Sequence, residues 1–524
     1  MTILLFVLAC LCTALALAMA RAPLVAWAAA AVVAALVPLS GMLAGAVAVP
    51  ALTVGTMLAL APAALLALLS VPMVRRAVLV APSFSIVRSI LPKVSATEQA
   101  ALDAGTIGWD AQLFSGRPDW QQLRSVAPIE LTDEEQAFLT GPTEELCRML
   151  DDWEIRHHTR EIPAPVWDFV KRHGFLGMLI SKEHGGLGFS AQAQSLILGK
   201  VSSRSPDVAT IVMVPNSLGP GELIEKYGTH AQKERYLGPL ARGEEVPCFG
   251  LTGPTSGSDA ASMRDIGVLT KRVVDGQEVL GISLSIEKRY ITLAPVATLV
   301  GLAFRLHDPE RLLGARDDDE IGITVALIPA DTPGLQIGRR HLPSQGAWPN
   351  GPIFGQDVFI PLDWVIGGEK MVGQGWRMLM ECLSAGRAIS LPSSSTAGIK
   401  AMLRTTTAYA GIRKQFGIDI GRMEGVEERI AHLVEQAYAV EAARAVTSSM
   451  VSAGEKPAVI SALMKYQTTQ RMRDAVNDAM DVHAGKAVCD GPSNYIFGAY
   501  QMIPVGITVE GANILTRSLI TFAQ

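Results

Sequence analysis

The sequence predicts transmembrane helices at the N-terminus, followed by an α+β fold whose domains come in the order helical, β-rich, helical. Two observations predict this order. Residues 22–74 contain no charged side chain, whereas short β-rich runs separated by Gly, Pro and Asp fill residues 246–362, with helical patterns on either side. The predicted domains are 1–74 (transmembrane helices), 75–118 (connector along the membrane surface), 119–245 (N-terminal helical domain), 246–363 (middle β domain) and 364–524 (C-terminal helical domain).

The composition excludes several classes of protein. The chain has 524 residues, of which 49% are hydrophobic, so it can bury an ample core and is not a disordered protein. Its net charge is −5 and only 6% of its residues are aromatic, so we expect no nucleic-acid partner. The six cysteines form no CxxC pair and the nine histidines show no ligand spacing. We therefore expect no metal site and no disulfide framework, which is typical of a reducing compartment.

The first 74 residues predict two or three membrane spans. A helix that crosses a bilayer needs about 20 apolar residues, so residues 22–74 can hold two spans. The expected break between them lies near Pro38–Gly41 or near Pro50, and Met1–Ala20 could form a third span. Two alternatives stay open. Met1–Ala20 could be a cleaved signal peptide, and the whole region could be a buried helical core.

The arginines that flank these spans predict an orientation. Arg21, the only charged residue before Arg75, and then Arg75, Arg76 and Arg88 would mark cytoplasmic ends of three helices. The sequence therefore predicts attachment to the inner membrane, with everything after Arg75 on the cytoplasmic side.

Local signals predict the elements of the remaining chain. Thr132 and Glu135 have capping-box spacing at the start of a helix. The predicted strands are Val279–Ile286, Tyr290–Phe304, Ile321–Ile328 and Gln356–Ile360, and the predicted later helices are Arg377–Gly411, Val426–Val451 and Pro457–His483.

Glu510 is the most pointed candidate for chemistry. Between Asp490 and Arg517 it is the only ionisable residue apart from tyrosines, and its neighbours are apolar. Apolar surroundings disfavour a carboxylate, so the pKa of Glu510 should rise toward the range that suits a general base. The alternative is an exposed glutamate on a turn before a helix, which Gly511 permits.

Two further segments allow both a functional and a structural interpretation. The Gly- and hydroxyl-rich stretch Pro247–Asp259 exposes backbone N–H groups that suit an anionic or planar cofactor, although its local pattern favours an ordinary surface turn. Arg413-Lys414-Gln415-Phe416-Gly417 has the pattern of a helix C-terminus, where cations and glycine are common.

Taken together, these segments resemble the acyl-CoA dehydrogenase family, and most of all its bacterial membrane-associated long-chain (FadE-type) branch. The resemblance runs from about Asp103 to Gln524. Its motifs, in order, are Glu183-His184-Gly185-Gly186-Leu187-Gly188, Tyr227-Gly228-Thr229 with Gln232-Lys233, Thr252 with Gly257-Ser258-Asp259, Lys288-Arg289-Tyr290-Ile291-Thr292, Arg413 with Gln415-Phe416-Gly417, and Glu510-Gly511.

The resemblance implies a role for each matching residue. Glu510 matches the catalytic base that removes the α-proton of the substrate, and Gly386 stands where some relatives place that base. The residues implied to contact FAD are Thr252, Ser258, Tyr290, Thr292, Arg413, Phe416 and Gly485, and those implied near the substrate are Ser258, Arg387 and Gly511. Because Arg413 and Phe416 match groups that reach the FAD of a neighbouring subunit, the resemblance also implies a homo-oligomer.

The implied activity is FAD-dependent α,β-dehydrogenation of medium- or long-chain acyl-CoA to trans-2-enoyl-CoA, the first step of fatty-acid β-oxidation. The implied partners are the acyl-CoA substrate, an electron-transfer flavoprotein and membrane lipid. Two alternatives are an acyl-CoA oxidase that uses dioxygen and a non-catalytic membrane-anchored binding protein. Because the family continues beyond the position of Gln524, we also expect the C-terminal helical domain to be incomplete.

Overall fold

The computed structural model describes residues 2–43, 49–90, 106, 108–126, 128–217, 219–382 and 386–522. The chain forms two compact units, Met1–Val94 and Ser95–Gln524. The predicted boundaries at 74, 118, 245 and 363 stay predictions.

The first unit is helical. Its helices are Thr2–Met19, Leu24–Leu43, Val49–Ser70, Pro72–Arg75 and Ala81–Ile90, and a π-turn over Arg76–Val80 joins the last two. The expected break at Pro38–Gly41 is wrong, because the helix Leu24–Leu43 continues through Pro38. A proline removes one backbone hydrogen bond, which does not end a helix whose other bonds are kept. The next helix begins beside Pro50, the other expected position.

No single helix in the described part of this unit is both long enough and apolar enough to cross a bilayer. One pair of helical segments, Leu60–Ser70 and Pro72–Ile90, passes that test together, with a bend of 95° between its members. The predicted transmembrane spans are therefore not confirmed by the described helices.

The second unit begins with a helical region, and the capping box predicted at Thr132 is confirmed. The hydroxyl of Thr132 accepts the backbone N–H of Glu135 at 3.3 Å, and the carboxylate of Glu135 accepts the N–H of Thr132 at 2.9 Å. The helices of this region are Ala111–Phe114, Trp120–Arg124, Asp133–Thr140, Pro142–Met149, Ala164–Arg172, Ala191–Arg204, Pro206–Met213, Pro220–Tyr227 and His230–Arg242, with a π-turn over Glu154–Thr159.

A seven-stranded sheet follows. Its strands are β1 (Pro247–Gly250), β2 (Ile266–Val274), β3 (Gln277–Thr292), β4 (Leu299–His307), β5 (Glu320–Pro329), β6 (Leu335–Ile337) and β7 (Asn350–Pro361). Strands β2, β3, β7 and β6 pair antiparallel in that order. Strand β4 pairs antiparallel with β5 and parallel with β1 and β2, which lie at successive positions along it.

The single strand predicted over Tyr290–Phe304 is wrong. Strand β3 ends at Thr292, Leu293 takes a left-handed φ of 69°, and a 3₁₀ turn over Ala294–Val296 separates it from β4. Pro295 lies in this turn and has no N–H to donate to a ladder, so a continuous strand is disfavoured there. Strand β3 therefore ends at Thr292, one of the predicted site residues.

The helices after the sheet agree with the predictions in two places and differ in one. Glu424–Ser452 and Ala458–His483 correspond to the predicted Val426–Val451 and Pro457–His483. The predicted Arg377–Gly411 is instead Gly375–Cys382, a π-turn over Gly386–Ser390 and Leu391–Ile412, with 383–385 outside the described residues. The last helices are Gly485–Val488, Phe497–Thr508 and Asn513–Phe522, and a short hairpin pairs Lys414–Gln415 with Ile418–Asp419.

Several hydrophobic cores support these elements. The largest one runs from the first helical region, with Phe138 and Phe175, into the sheet, with Phe304 and Trp348. Another lies among the C-terminal helices around Leu433 and Val476. The sheet and the first helical region therefore share one packed interior.

Candidate active site

Glu510 lies in the turn between the helices Phe497–Thr508 and Asn513–Phe522. Both turn residues are left-handed, with φ of 55° at Glu510 and 91° at Gly511. Glycine adopts this conformation freely, but for a residue with a Cβ it costs about 1–2 kcal/mol. The turn therefore holds Glu510 in a conformation that the surrounding structure has to stabilise.

Two cations, the half-buried Arg387 and the buried Lys465, stabilise that turn through its backbone. Arg387 donates from Nε to the carbonyl oxygen of Glu510 at 2.8 Å. Lys465, which is 0% exposed, donates from Nζ to the carbonyl of Gly511 at 2.7 Å and to Oδ1 of Asn513 at 2.7 Å. It also donates to the carbonyl of Ile507 at 3.1 Å. The predicted residues Glu510, Arg387 and Gly511 are thus brought together.

The carboxyl group of Glu510 points into a space left by a glycine. A Cβ built on Gly386 would lie 2.9 Å from Oε1 of Glu510 and 3.2 Å from Cβ of Ser217. Oε2 of Glu510 is buried and has no hydrogen-bond partner among the described residues. Glycine at position 386 is therefore what gives this carboxyl group its room.

Burial dominates the electrostatics of the site. It raises the pKa of Glu510 to about 7, although the nearby charges of Arg387 and Lys465 act in the opposite direction. Burial also lowers the pKa of Lys465 to about 8, and it lowers the pKa of Arg387. A carboxyl group that titrates near neutral pH suits proton abstraction from carbon.

Sequence reasoning missed Lys465, which acts on this carboxyl group, and Glu222, another glutamate whose pKa burial raises. In the sequence, Lys465 is a lysine within a helical pattern, which usually indicates an exposed helix face. Glu222 lines a small cavity with Ser217, Phe249 and Cys382, and burial raises the pKa of Glu222 to about 7 as well. Unlike Glu510, Glu222 has a polar neighbour of its own, because the thiol of Cys382 forms a hydrogen bond with it.

A second group of predicted residues lies at the end of β3. Asn350 donates from Nδ2 to Oγ1 of Thr292 at 3.1 Å and to the carbonyl of Tyr290 at 3.0 Å. Because Thr292 accepts from Asn350, its own hydroxyl proton is available to donate elsewhere. Tyr290 is 60% exposed with a left-handed φ of 63°. This group offers an outward-facing aromatic ring beside a hydroxyl donor.

The loop that follows β1 lies next to that group. The carbonyl of Thr252 accepts the backbone N–H of Arg289 at 2.9 Å, and Ser258 is exposed further along the same loop. Beneath the loop, Lys288 is 0% exposed and donates to Asp265 Oδ2 at 2.6 Å and to the carbonyl of Leu251 at 3.1 Å. A buried ion pair therefore fixes the segment that carries Thr252.

The remaining predicted residues form a third group. Arg413 and Phe416 lie on the hairpin after Leu391–Ile412, and Phe416 at its tip is 96% exposed. Gly485 follows the helix Ala458–His483 and is also exposed. The chain near all three residues packs together through Ala410, Ile420 and Val482.

Two family models match the chain, and together they cover half of it. Residues 132–244 match the N-terminal domain of acyl-CoA dehydrogenases. Residues 373–521 match the C-terminal domain of the same family. The second match includes Glu510, Arg387, Arg413 and Gly485.

Two curated proteins are similar to this chain. FadE10 of Mycobacterium tuberculosis, named a probable acyl-CoA dehydrogenase, is 28% identical over 385 residues, which are 71% of this chain and 56% of FadE10. Protein HemX of Proteus mirabilis is 55% identical over 106 residues, which are 20% of this chain and 61% of HemX. The chain thus spans less than two thirds of the length of either relative.

A solved structure shares the fold. Butyryl-CoA dehydrogenase from Megasphaera elsdenii is similar with a TM-score of 0.66 and 20% identity, over 76% of this chain and 99% of that structure. The helical, β and helical parts of the predicted fold are therefore confirmed. The chain belongs to the acyl-CoA dehydrogenase family.

Proposed function

We propose that this chain is an FAD-dependent oxidoreductase that converts medium- or long-chain acyl-CoA to trans-2-enoyl-CoA and passes the electrons to an electron-transfer flavoprotein. One observation carries the proposal. Oε2 of Glu510 is buried without a hydrogen-bond partner among the described residues, and burial raises the pKa of this carboxyl group to about 7. The medium or long chain length and the electron-transfer flavoprotein come from the family resemblance alone.

The proposed step breaks two C–H bonds of the thioester. Glu510 takes the α-proton on its carboxylate, and a carbon–carbon double bond forms between Cα and Cβ. The chemistry that FAD supplies when bound is acceptance of the hydride that leaves Cβ. Lys465 and Arg387 hold the backbone around Glu510, so the carboxylate needs no rearrangement before it reacts.

The residues at the end of β3 fit FAD. The hydroxyl of Thr292 has its acceptor side occupied by Asn350, so it can donate to a flavin ring nitrogen. The exposed ring of Tyr290 offers an apolar surface beside it, and Thr252 and Ser258 supply a hydroxyl-rich loop. Those four residues would hold the flavin, and exposed Arg413, Phe416 and Gly485 would contact cofactor at a homo-oligomer interface.

We also propose that the chain is attached to the inner membrane, as in the FadE-type branch, with the catalytic part in the cytoplasm. Residues 22–74 carry no charge. The first unit exposes large apolar side chains, including Leu11, Leu15 and Val33 at 62–63%. Exposed apolar side chains in such number are typical of surfaces that contact a membrane or another protein. Retention in the membrane pellet after alkaline carbonate extraction would support attachment, and release into the supernatant would contradict it.

Anaerobic titration of the purified full chain, loaded with FAD, tests the proposed reaction. Acyl-CoAs of 4, 8 and 16 carbons are the probes, and flavin absorbance is the readout. We expect bleaching with the 8-carbon or the 16-carbon acyl-CoA, followed by recovery of colour when an electron-transfer flavoprotein is added, whereas bleaching by the 4-carbon acyl-CoA alone would contradict the proposed chain length. Absence of bleaching with every chain length would overturn the proposal.

A further inference from the structure

A buried arginine–aspartate pair lies outside the three groups of site residues. Arg156 comes from the π-turn Glu154–Thr159 and is 4% exposed, and Asp207 opens the helix Pro206–Met213 and is 0% exposed. Nε of Arg156 lies 3.6 Å from Oδ2 of Asp207. Removing one member of such a pair leaves an uncompensated charge in the interior, so the two side chains depend on each other.

Asp207 binds the backbone of the segment that leads to Asn350, on the side of the site where the flavin would lie. Its Oδ1 accepts the N–H groups of Ala347 and of Trp348, the latter at 3.3 Å. Asn350 follows two residues after Trp348 and donates to the hydroxyl of Thr292 and to the carbonyl of Tyr290. Asp207 therefore fixes the segment that orients the end of β3.

Arg156 contacts the helix that precedes Glu510, the proposed base. Its Nη2 donates to Oε1 of Gln501 at 3.2 Å and to the carbonyl of Ser344 at 3.2 Å. Gln501 lies in the helix Phe497–Thr508, which ends two residues before Glu510. A Cβ on Gly498 would lie 2.4 Å from Nη1 of Arg156, so this glycine lets the guanidinium lie against the helix.

We infer that Arg156 and Asp207 are positioning residues, which set the separation between the base Glu510 and the flavin-side hydroxyl of Thr292 through one buried ion pair. The inference rests on the proposed function. Neither residue touches the reacting atoms. A displacement of about 1 Å between reacting groups lowers a rate by as much as 100-fold, so a pair joined to both sides has a direct effect on the reaction.

The first test compares Arg156→Met with Arg311→Met in the full chain loaded with FAD. Arg311 is the control because it is also paired with an aspartate, with Nη2 2.7 Å from Oδ1 of Asp319, and its other partner is the carbonyl of Asp318, in the loop between β4 and β5. The readout is the single-turnover rate of flavin bleaching at saturating acyl-CoA. We expect Arg156→Met to lower this rate by about 10- to 100-fold relative to the unsubstituted chain, with partial rescue by Arg156→Lys, and Arg311→Met to keep the rate within about twofold.

Two milder variants keep the test decisive if Arg156→Met fails to fold. Gln501→Leu removes only the hydrogen bond between Arg156 and the helix before Glu510. The bleaching rate should therefore fall by at least about threefold, while FAD affinity should equal that of the unsubstituted chain. Asp207→Asn weakens the link to Trp348, so FAD affinity should fall by about tenfold. Rates and affinities equal to those of Arg311→Met would overturn the inference. A wild-type chain that never bleaches would instead refute the proposed function, and FAD affinity would still report on Asp207.

Discussion

Two fully buried lysines, Lys288 and Lys465, lie in different regions of the molecule and have different partners. Lys288, beneath the loop after β1, bonds a carboxylate, with Nζ 2.6 Å from Oδ2 of Asp265. Lys465, beside the turn of Glu510, donates to uncharged oxygens among the described residues, namely two backbone carbonyls and the amide of Asn513. Burial lowers the pKa of both lysines.

The difference shows how the same residue type serves structure in one place and chemistry in another. Asp265 neutralises the charge of Lys288 at close range. That pair therefore fixes a loop and has little electrostatic effect on more distant groups. In the part of the chain that the structure describes, Lys465 has no carboxylate among its hydrogen-bond partners, and its charge lowers the pKa of Glu510 against the effect of burial. The comparison predicts that the two lysines affect different measurements.

The largest expected effect is at Glu510, the group on which Lys465 acts. Glu510→Gln keeps the size of the side chain but removes its basicity, so we expect flavin reduction by acyl-CoA to slow by about 10³-fold while FAD and acyl-CoA still bind. Glu222→Gln is the matched control, because burial raises the pKa of Glu222 to about 7 as well. Stopped-flow flavin absorbance measures both variants. Equal loss in both would refute the assignment of the base.

Next in size is a loss of stability at Lys288. Lys288→Met leaves Asp265 buried without its partner, which destabilises a protein by about 3–5 kcal/mol. Thermal unfolding should show a clear drop in Tm, and Lys288→Met/Asp265→Leu should recover much of it. The rate of flavin bleaching per folded molecule should equal that of the unsubstituted chain. A rate that fell together with Tm would contradict a purely structural role for Lys288.

Lys465→Met should act on the reaction as well as on stability. Its loss leaves the carbonyls of Ile507 and Gly511 without their donor, at about 1–3 kcal/mol, and frees the turn that holds Glu510. We expect the bleaching rate to fall by about 10- to 100-fold. Because a positive charge is removed, the pKa of Glu510 should rise further, so the acid limb of the pH profile should move to higher pH. An unmoved limb at a normal rate would show that Lys465 only fills space.

The smallest expected effect is at Gly386. Gly386→Ala brings a Cβ to 2.9 Å from Oε1 of Glu510, so the carboxyl group has to shift by a few tenths of an ångström. We expect a decrease of about tenfold in the bleaching rate with FAD affinity unchanged. Gly411→Ala is the control, because its Cβ would meet no described atom within 4 Å. Equal rates for the two variants would contradict the tight fit.

Local patterns predicted the parts of the fold that depend on neighbours in sequence. The capping box at Thr132 and the helices Glu424–Ser452 and Ala458–His483 follow from spacing alone. Isolation in sequence also singled out Glu510, and its carboxyl group is indeed buried, although it lies on a turn before a helix as the alternative interpretation expected.

What the sequence could not predict depends on contacts between distant residues. Lys465 has a role only because the turn of Glu510 lies against its helix. Arg156 and Asp207 look like surface charges until the fold buries them together. Strand β3 ends at Thr292 because Leu293 takes a left-handed φ, and no composition rule places that conformation at a leucine.

The pH dependence of kcat/KM tests the central claim most directly, because this parameter reports the ionisation of groups in the free enzyme. In the proposed reaction Glu510 acts as a carboxylate, and burial raises its pKa to about 7. The full chain loaded with FAD should therefore show kcat/KM for acyl-CoA rising by about tenfold per pH unit below pH 7 and levelling off above it. A profile that stays flat between about pH 5.5 and 8 would mean that a carboxyl group with a raised pKa is not the base.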